Sequence, residues 1–273
     1  MAGTAIKISG FVARRFFPNP NDIQLVTGFR SGLVGTQTSR TLMLSELTDL
    51  FEAVPPNATR RGYAAAIIEQ NCVAKPTAAA RRETNVRLGT LYALDSVVPM
   101  FRVLRRLWEM DKPSRPLFAL LVALARDPLL RATAGSILSL PTGGEFQRSA
   151  MRDALRVDTK DRLGEPTLNK VVRNAASSWT QSGHLAGRTF KIRHRVTATP
   201  AAIAFALYLG QNAGFQTDDL FSTGWMEVLD CGVSAAQNLA IGAKRMGLID
   251  LRMGGGVLDL ELSQLDPENT RRR

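Results

Sequence analysis

The chain has 273 residues, 45% of them hydrophobic, with 35 Lys and Arg against 24 Asp and Glu and a formal charge of +11. That length and apolar content allow a real core, in one large domain or two ordinary ones, and exclude bulk disorder. The positive excess points to polyanionic partners: nucleic acid, anionic lipid or an acidic protein.

Two cysteines, Cys72 and Cys231, are too few and too far apart for a disulfide framework or a paired-thiol metal site. They are expected to be small buried hydrophobes in a reducing compartment, and the protein to be cytoplasmic. Met1–Phe17 lacks the apolar run and small-residue cleavage site of a leader. Pro116–Ala125 is the most apolar stretch, and it is far shorter than the roughly 20 residues a bilayer requires. No membrane segment is expected.

In chain order, residues 1–44 are mixed, with Pro18, Pro20, Gly28, Gly32 and Gly35, and read as loops and short elements. Residues 45–140 read as a helical bundle. Asn57 is a candidate cap for a helix to about Gln70, and a second helix starts near Thr77. A third, opened by Ser96, places Val98, Phe101, Leu104, Leu107 and Trp108 on one face and Arg102, Arg105 and Arg106 on the other. Leu117, Leu120, Leu121 and Leu124 repeat with helical period, and Asp127–Pro128 is a cap followed by a first-turn proline. Leu140 to Gly144 is a loop and a subdomain edge.

Residues 145–210 are expected to form a basic region of helix-turn-helix or winged-helix character. It holds a short helix at 145–156, a strong helix from Glu165 to a stop at Gly183, and a strand. In that strand Phe190, Ile192 and Val196 alternate with Lys191, Arg193 and Arg195. Thr199–Pro200 caps a further helix. Residues 211–273 read as a C-terminal helix, opened by Ser234 and stopped by Gly247, followed by a β-hairpin turned at Gly254–Gly256 and a polar tail from Pro267. The fold class expected is mainly α: a helical bundle with helix-turn-helix or winged-helix-like elements and short β-hairpins.

Charge concentrates in the middle. Residues 148–195 hold 11 basic and 4 acidic residues, whereas 196–273 hold 6 basic and 9 acidic. On the 165–182 helix, Leu168, Val171, Val172, Ala175, Ala176 and Trp179 form a core face. Lys170, Arg173, Asn174 and Ser177 form the opposite stripe, at spacings a groove could meet. Arg and Lys suit guanine edges and phosphates, Asn suits adenine and Ser suits phosphate. Lys191, Arg193 and Arg195 on one strand face are expected to grip a backbone as a wing does, with Arg188 beside them, and Arg148, Arg152 and Arg156 to add flanking charge. The alternative is a solvated helix face and outward-pointing strand charges.

Catalytic constellations are not evident. His184 and His194 are the only histidines. They lack a nucleophile-elbow motif and read as surface or phosphate-facing residues. No glycine-rich phosphate loop is present. Asp259 and Glu261 share a strand face, which reads as solvated rather than metal-binding. Trp108, Trp179 and Trp225 sit at core positions. A non-catalytic protein with no cofactor or metal is expected.

Three stretches carry a family resemblance. They are Ile68-Glu69-Gln70-Asn71 with Lys75-Pro76-Thr77, Arg81-Arg82, Leu88 and Leu91–Asp95; Leu117–Leu130 with Ala125-Arg126-Asp127; and Pro166–Lys170 through Gln181–Leu185. Together, over about residues 65–196, they resemble the BrxA family of bacterial BREX phage-exclusion systems. The resemblance implies a small helical double-stranded DNA binder in antiviral defence, working beside a methyltransferase, an ATPase and a phosphatase-like protein. Residues 197–273 depart from the pattern, and their acidic balance suggests a partner-docking module. Two further readings are a winged-helix transcriptional regulator and an adaptor whose basic face meets an acidic protein.

Overall fold

The computed structural model describes residues 14–19, 27–32, 35–254, 257–266 and 268. Residues 44–138 form seven helices: α1 (Leu44–Ala53), α2 (Arg60–Ile68), α3 (Ala78–Tyr92), α4 (Pro99–Met110), α5 (Arg115–Arg126), α6 (Pro128–Ala132) and α7 (Ala134–Leu138). Capping chemistry sets several starts. Thr77 Oγ1 accepts from the Ala80 amide at 3.1 Å and opens α3. Asp127 Oδ1 accepts from the Leu129 and Leu130 amides and opens α6, with Pro128 in its first turn. Two expected caps are displaced by two residues: Thr59 rather than Asn57 caps α2, and Val98 rather than Ser96 precedes α4.

The remaining elements are α8 (Arg148–Thr159), α9 (Glu165–Gln181), β1 (Leu185–Ala186), β2 (Ile192–Arg193), α10 (Pro200–Asn212), α11 (Gly224–Glu227), α12 (Val233–Arg245), β3 (Asp250–Gly254) and β4 (Val257–Glu261). The protein is therefore mainly α, with two short antiparallel hairpins among the described residues, β1–β2 and β3–β4. Helix α12 begins one residue before the expected cap, Ser234, on Gly232. The glycine turn expected between β3 and β4 lies outside the described residues at 255–256, as does most of the tail from Pro267.

Two helices form the centre. The sequence pattern gives α5 one apolar stripe, but every residue from Leu117 to Ala125 is buried, and so is every residue of α10 from Ala201 to Gly210. Helices apolar all round belong inside a core. Helices α3, α4, α9 and α10 surround α5, and Phe118 meets Phe205 edge-on with ring centroids 6.0 Å apart. The tryptophans are fully buried, as their positions suggest.

Helix α4 does not leave its arginines in solvent. Arg105 is buried; its Nη2 donates to the Phe51 and Val54 carbonyls at 2.6 and 2.7 Å, closing the end of α1. Arg102 makes a two-pronged pair with Asp266 at 2.7 and 2.6 Å, and Arg106 donates to the Gln264 and Leu265 carbonyls. The polar face of α4 is thus a packing face for the end of α1 and for the C-terminal segment.

In the second half two runs of helices each end in a hairpin. Residues 143–146 lie along β2, with Gly143 and Phe146 amides donating to the Arg193 and Lys191 carbonyls and the Arg193 amide donating to Gly144. The order is extended segment, α8, α9, hairpin, with the extended segment paired to the second hairpin strand. It is followed by α10, α11, α12 and the second hairpin. Both long helices before the hairpins stop in one way. After α9 the Gly183 and His184 amides donate to Thr180 and Trp179, and after α12 the Gly247 and Leu248 amides donate to Lys244 and Ala243. Gly183 (φ +88) and Gly247 (φ +68) supply the left-handed residue this closure needs.

The described residues of the N-terminal region, read from sequence as loops and short elements, pack across the molecule. Phe16, Phe17 and Phe29 surround Trp225, whose Nε1 donates to the Phe16 carbonyl at 2.9 Å. A 3-10 turn at Thr36–Thr38 packs on α9.

Candidate nucleic-acid interface

Helix α9 buries the face expected of it: Leu168, Val171, Val172, Ala175, Ala176 and Trp179. Its opposite side divides into two lanes. Along one, Lys170 and Arg173 are exposed, Ser177 and Thr180 half-buried, at spacings i, i+3, i+7 and i+10. These share a side of a helix rising 1.5 Å per residue, so the lane runs about 15 Å. Along the other lie Asn174, Ser178 and Gln181, and the N-terminal region covers them. Asn174 Nδ2 donates to the Gln37 carbonyl at 2.8 Å, Ser178 Oγ donates to Gln37 Oε1 at 3.0 Å, and Gln181 holds the Leu44 amide and Thr41 Oγ1.

Asn174 therefore does not stand ready for an adenine edge; its amide is a structural clamp. Ser177 is half-buried, with Gln181 Nε2 at 3.5 Å.

The hairpin carries the lane onward. Lys191 Nζ donates to Thr180 Oγ1 at 2.8 Å and to the Gly187 carbonyl at 3.1 Å, which fixes its ammonium at the C-terminal end of the lane. Desolvation, and then the charge of Arg148, hold that ammonium below the ordinary lysine range. Arg148 is exposed at the start of α8, and Arg188 is exposed at the hairpin tip. Among the described residues, none of Lys170, Arg173, Arg188, Lys191 and Arg148 takes part in a salt bridge, in a protein where eleven pairs form.

The other expected contacts are placed differently. Arg193 is 3% exposed, on the core side of β2, opposite buried Leu185. It makes a two-pronged pair with Asp230 and donates to the carbonyls of Ile137 and His194. The strand alternation thus fails at two positions: Arg193 points in and Phe190, expected inside, is 72% exposed. A guanidinium with a carboxylate and two carbonyls around it tolerates burial, which a polarity pattern does not anticipate. Arg195 is exposed and donates to the Asp230 carbonyl at 3.1 Å, beside Arg193 rather than at the tip. Arg156 pairs with Glu165, tying α8 to the start of α9. Arg152 is half-buried, and its Nε has no hydrogen-bond partner.

His184 is not at the surface. It is fully buried against Trp179, with Nε2 2.7 Å from the Val228 carbonyl and Nδ1 2.9 Å from Ser182 Oγ. A carbonyl only accepts, so the ring carries a proton on Nε2. Burial holds its pKa down to about 4. His194 is exposed.

Sequence reasoning missed Thr180, the anchor of Lys191, and Gln37, the cover of the second lane. Thr180 could have been found as the next member of the i, i+3, i+7 series. Gln37 carried no local signal. Among the described residues no cluster of three or more metal-ligating side chains occurs, and no helix is long and apolar enough to cross a membrane. Comparison of the chain with protein families, curated proteins and solved structures finds no match, so the likeness to the BrxA family rests on its sequence motifs alone.

Proposed function

We propose that the protein is a non-catalytic double-stranded DNA-binding accessory subunit of a bacterial phage-defence system, as the family resemblance implies. Contact runs mainly through phosphates, along the lane from Lys170 and Arg173 to Lys191 and Arg148. The observation that carries this is a row of cations with no carboxylate partner among the described residues, one of them held by two hydrogen bonds where burial, and then the like charge of Arg148, disfavours its ammonium. An incoming phosphate relieves that repulsion and gains charge-assisted hydrogen bonds. The order of extended segment, two helices and hairpin is that of a winged helix, in which helix and wing together address the duplex. In this reading the methyltransferase, ATPase and phosphatase-like subunits are protein partners, and the protein works in the cytoplasm.

The covered lane favours this reading over an operator-specific regulator. Asn174, Ser178 and Gln181 are occupied by residues 37–44, which removes the amides best suited to base edges. The double variant Lys170→Glu/Arg173→Glu tests the reading by gel retardation of unrelated duplexes. Both side chains are exposed, so the fold is retained while affinity falls at least ten-fold. Unchanged affinity removes α9 from the interface.

A further inference from the structure

Phe190 stands at the tip of the β1–β2 hairpin and is 72% exposed. It is the only largely exposed Phe, Tyr or Trp side chain among the described residues. A lone exposed apolar residue is ordinary, but its setting here is not. Gly187 opens the turn with φ +109, and a Cβ there would lie 2.0 Å from the Phe190 carbonyl oxygen. Lys191 clasps the base of the turn through the Gly187 carbonyl and ties it to α9 through Thr180. The ring is thus presented on a short, braced turn, between Arg188 and Lys191, at the end of the basic lane.

We propose that Phe190 is a nucleobase-contacting residue, whose ring packs on a base face while Arg188, Lys191 and Arg148 hold the flanking phosphates. This rests on the DNA-binding reading and adds its mode of contact. The chemistry needed is an apolar π-surface beside backbone anions. A base step opened in a duplex groove offers it, and so does an unpaired strand; apolar wedges and aromatic platforms serve these two cases respectively.

The test uses the full chain with Phe190→Ala and Phe190→Trp. Truncation removes no charge, so Phe190→Ala lowers affinity about ten-fold while leaving the salt slope of binding unchanged. Arg188→Gln instead makes the slope shallower by about one counterion. The native tryptophans are all fully buried, so the indole introduced by Phe190→Trp is the one solvent-facing indole among the described residues. Saturating nucleic acid quenches its emission and shields it from iodide. Duplexes rich in T–A steps, uniform G·C duplexes and single strands of equal length identify the source of the base. A larger Phe190→Ala loss on T–A duplexes marks a wedge, and a larger loss on single strands marks stacking. Wild-type affinity in Phe190→Ala together with unmoved indole emission in Phe190→Trp overturns the proposal and leaves DNA binding standing; a tip that meets a protein gives that result. Failure of the wild-type protein to bind any nucleic acid at low salt overturns both readings.

Discussion

At the scale of single residues, the buried polar groups follow from their partners. Arg193 is tolerated inside because Asp230 and two carbonyls surround its guanidinium. Arg131, also buried, donates to the Leu124 carbonyl at 2.7 Å and lies over the Phe17 ring; desolvation lowers its pKa to about 10. His184 has a consequence that can be measured. Its folded pKa of about 4 lies below the ordinary 6.5, so between those values the unfolded chain binds a proton that the folded chain does not. Its contribution to stability is full above pH 6.5 and declines as pH falls toward 4. Urea unfolding of the wild-type protein is expected to lose on the order of 2 kcal/mol from this group between pH 7.5 and pH 5. That pH dependence should be absent from His184→Gln measured in parallel. Equal slopes in the two proteins would mean that His184 is not buried neutral.

At the scale of elements, the short hairpin depends on one glycine. Gly187→Ala places a Cβ into the Phe190 carbonyl at a backbone angle that side chains rarely adopt. It should cost about 1–3 kcal/mol and speed amide exchange at Arg193, whose N–H bonds Gly144. Exchange unchanged from wild type would contradict the turn as described. Elements with strong local signals were readable from sequence. The caps at Thr77, Asp127 and Thr199, the stop at Gly183 and the core face of α9 all stand where the residue types place them. Elements decided by distant partners were not. The β2 alternation failed because two paired residues are too few for period-two patterning to govern, and Asp230, thirty-seven positions away, determines where Arg193 points. The arginine face of α4 looked solvated because its partner carboxylate and carbonyls lie near the end of the chain. Of the expected contact stripe, Lys170 and Arg173 were legible, but the loss of Asn174 to Gln37 was not, since residues 1–44 offered no periodicity to place them.

At the scale of the whole molecule, segment charge takes a different meaning. The acidic balance of residues 196–273 suggested docking to an outside partner. Much of it is spent within the chain: Glu227 pairs with Arg15, Asp230 with Arg193, and Asp266 and Glu268 with Arg102. These pairs hold the C-terminal region to the bundle and to the basic region, and among the described residues they leave Lys170, Arg173, Arg188, Lys191 and Arg148 as cations without such partners. The measurement that tests this account most directly is affinity for unrelated duplex DNAs across a salt series, with RNA as a control. With Lys170, Arg173, Arg188, Lys191 and Arg148 engaged, log affinity should fall linearly with log salt at a slope of about −4 to −5, alike for each duplex sequence. No binding at low salt, or tight binding confined to one sequence with a shallow slope, would contradict it.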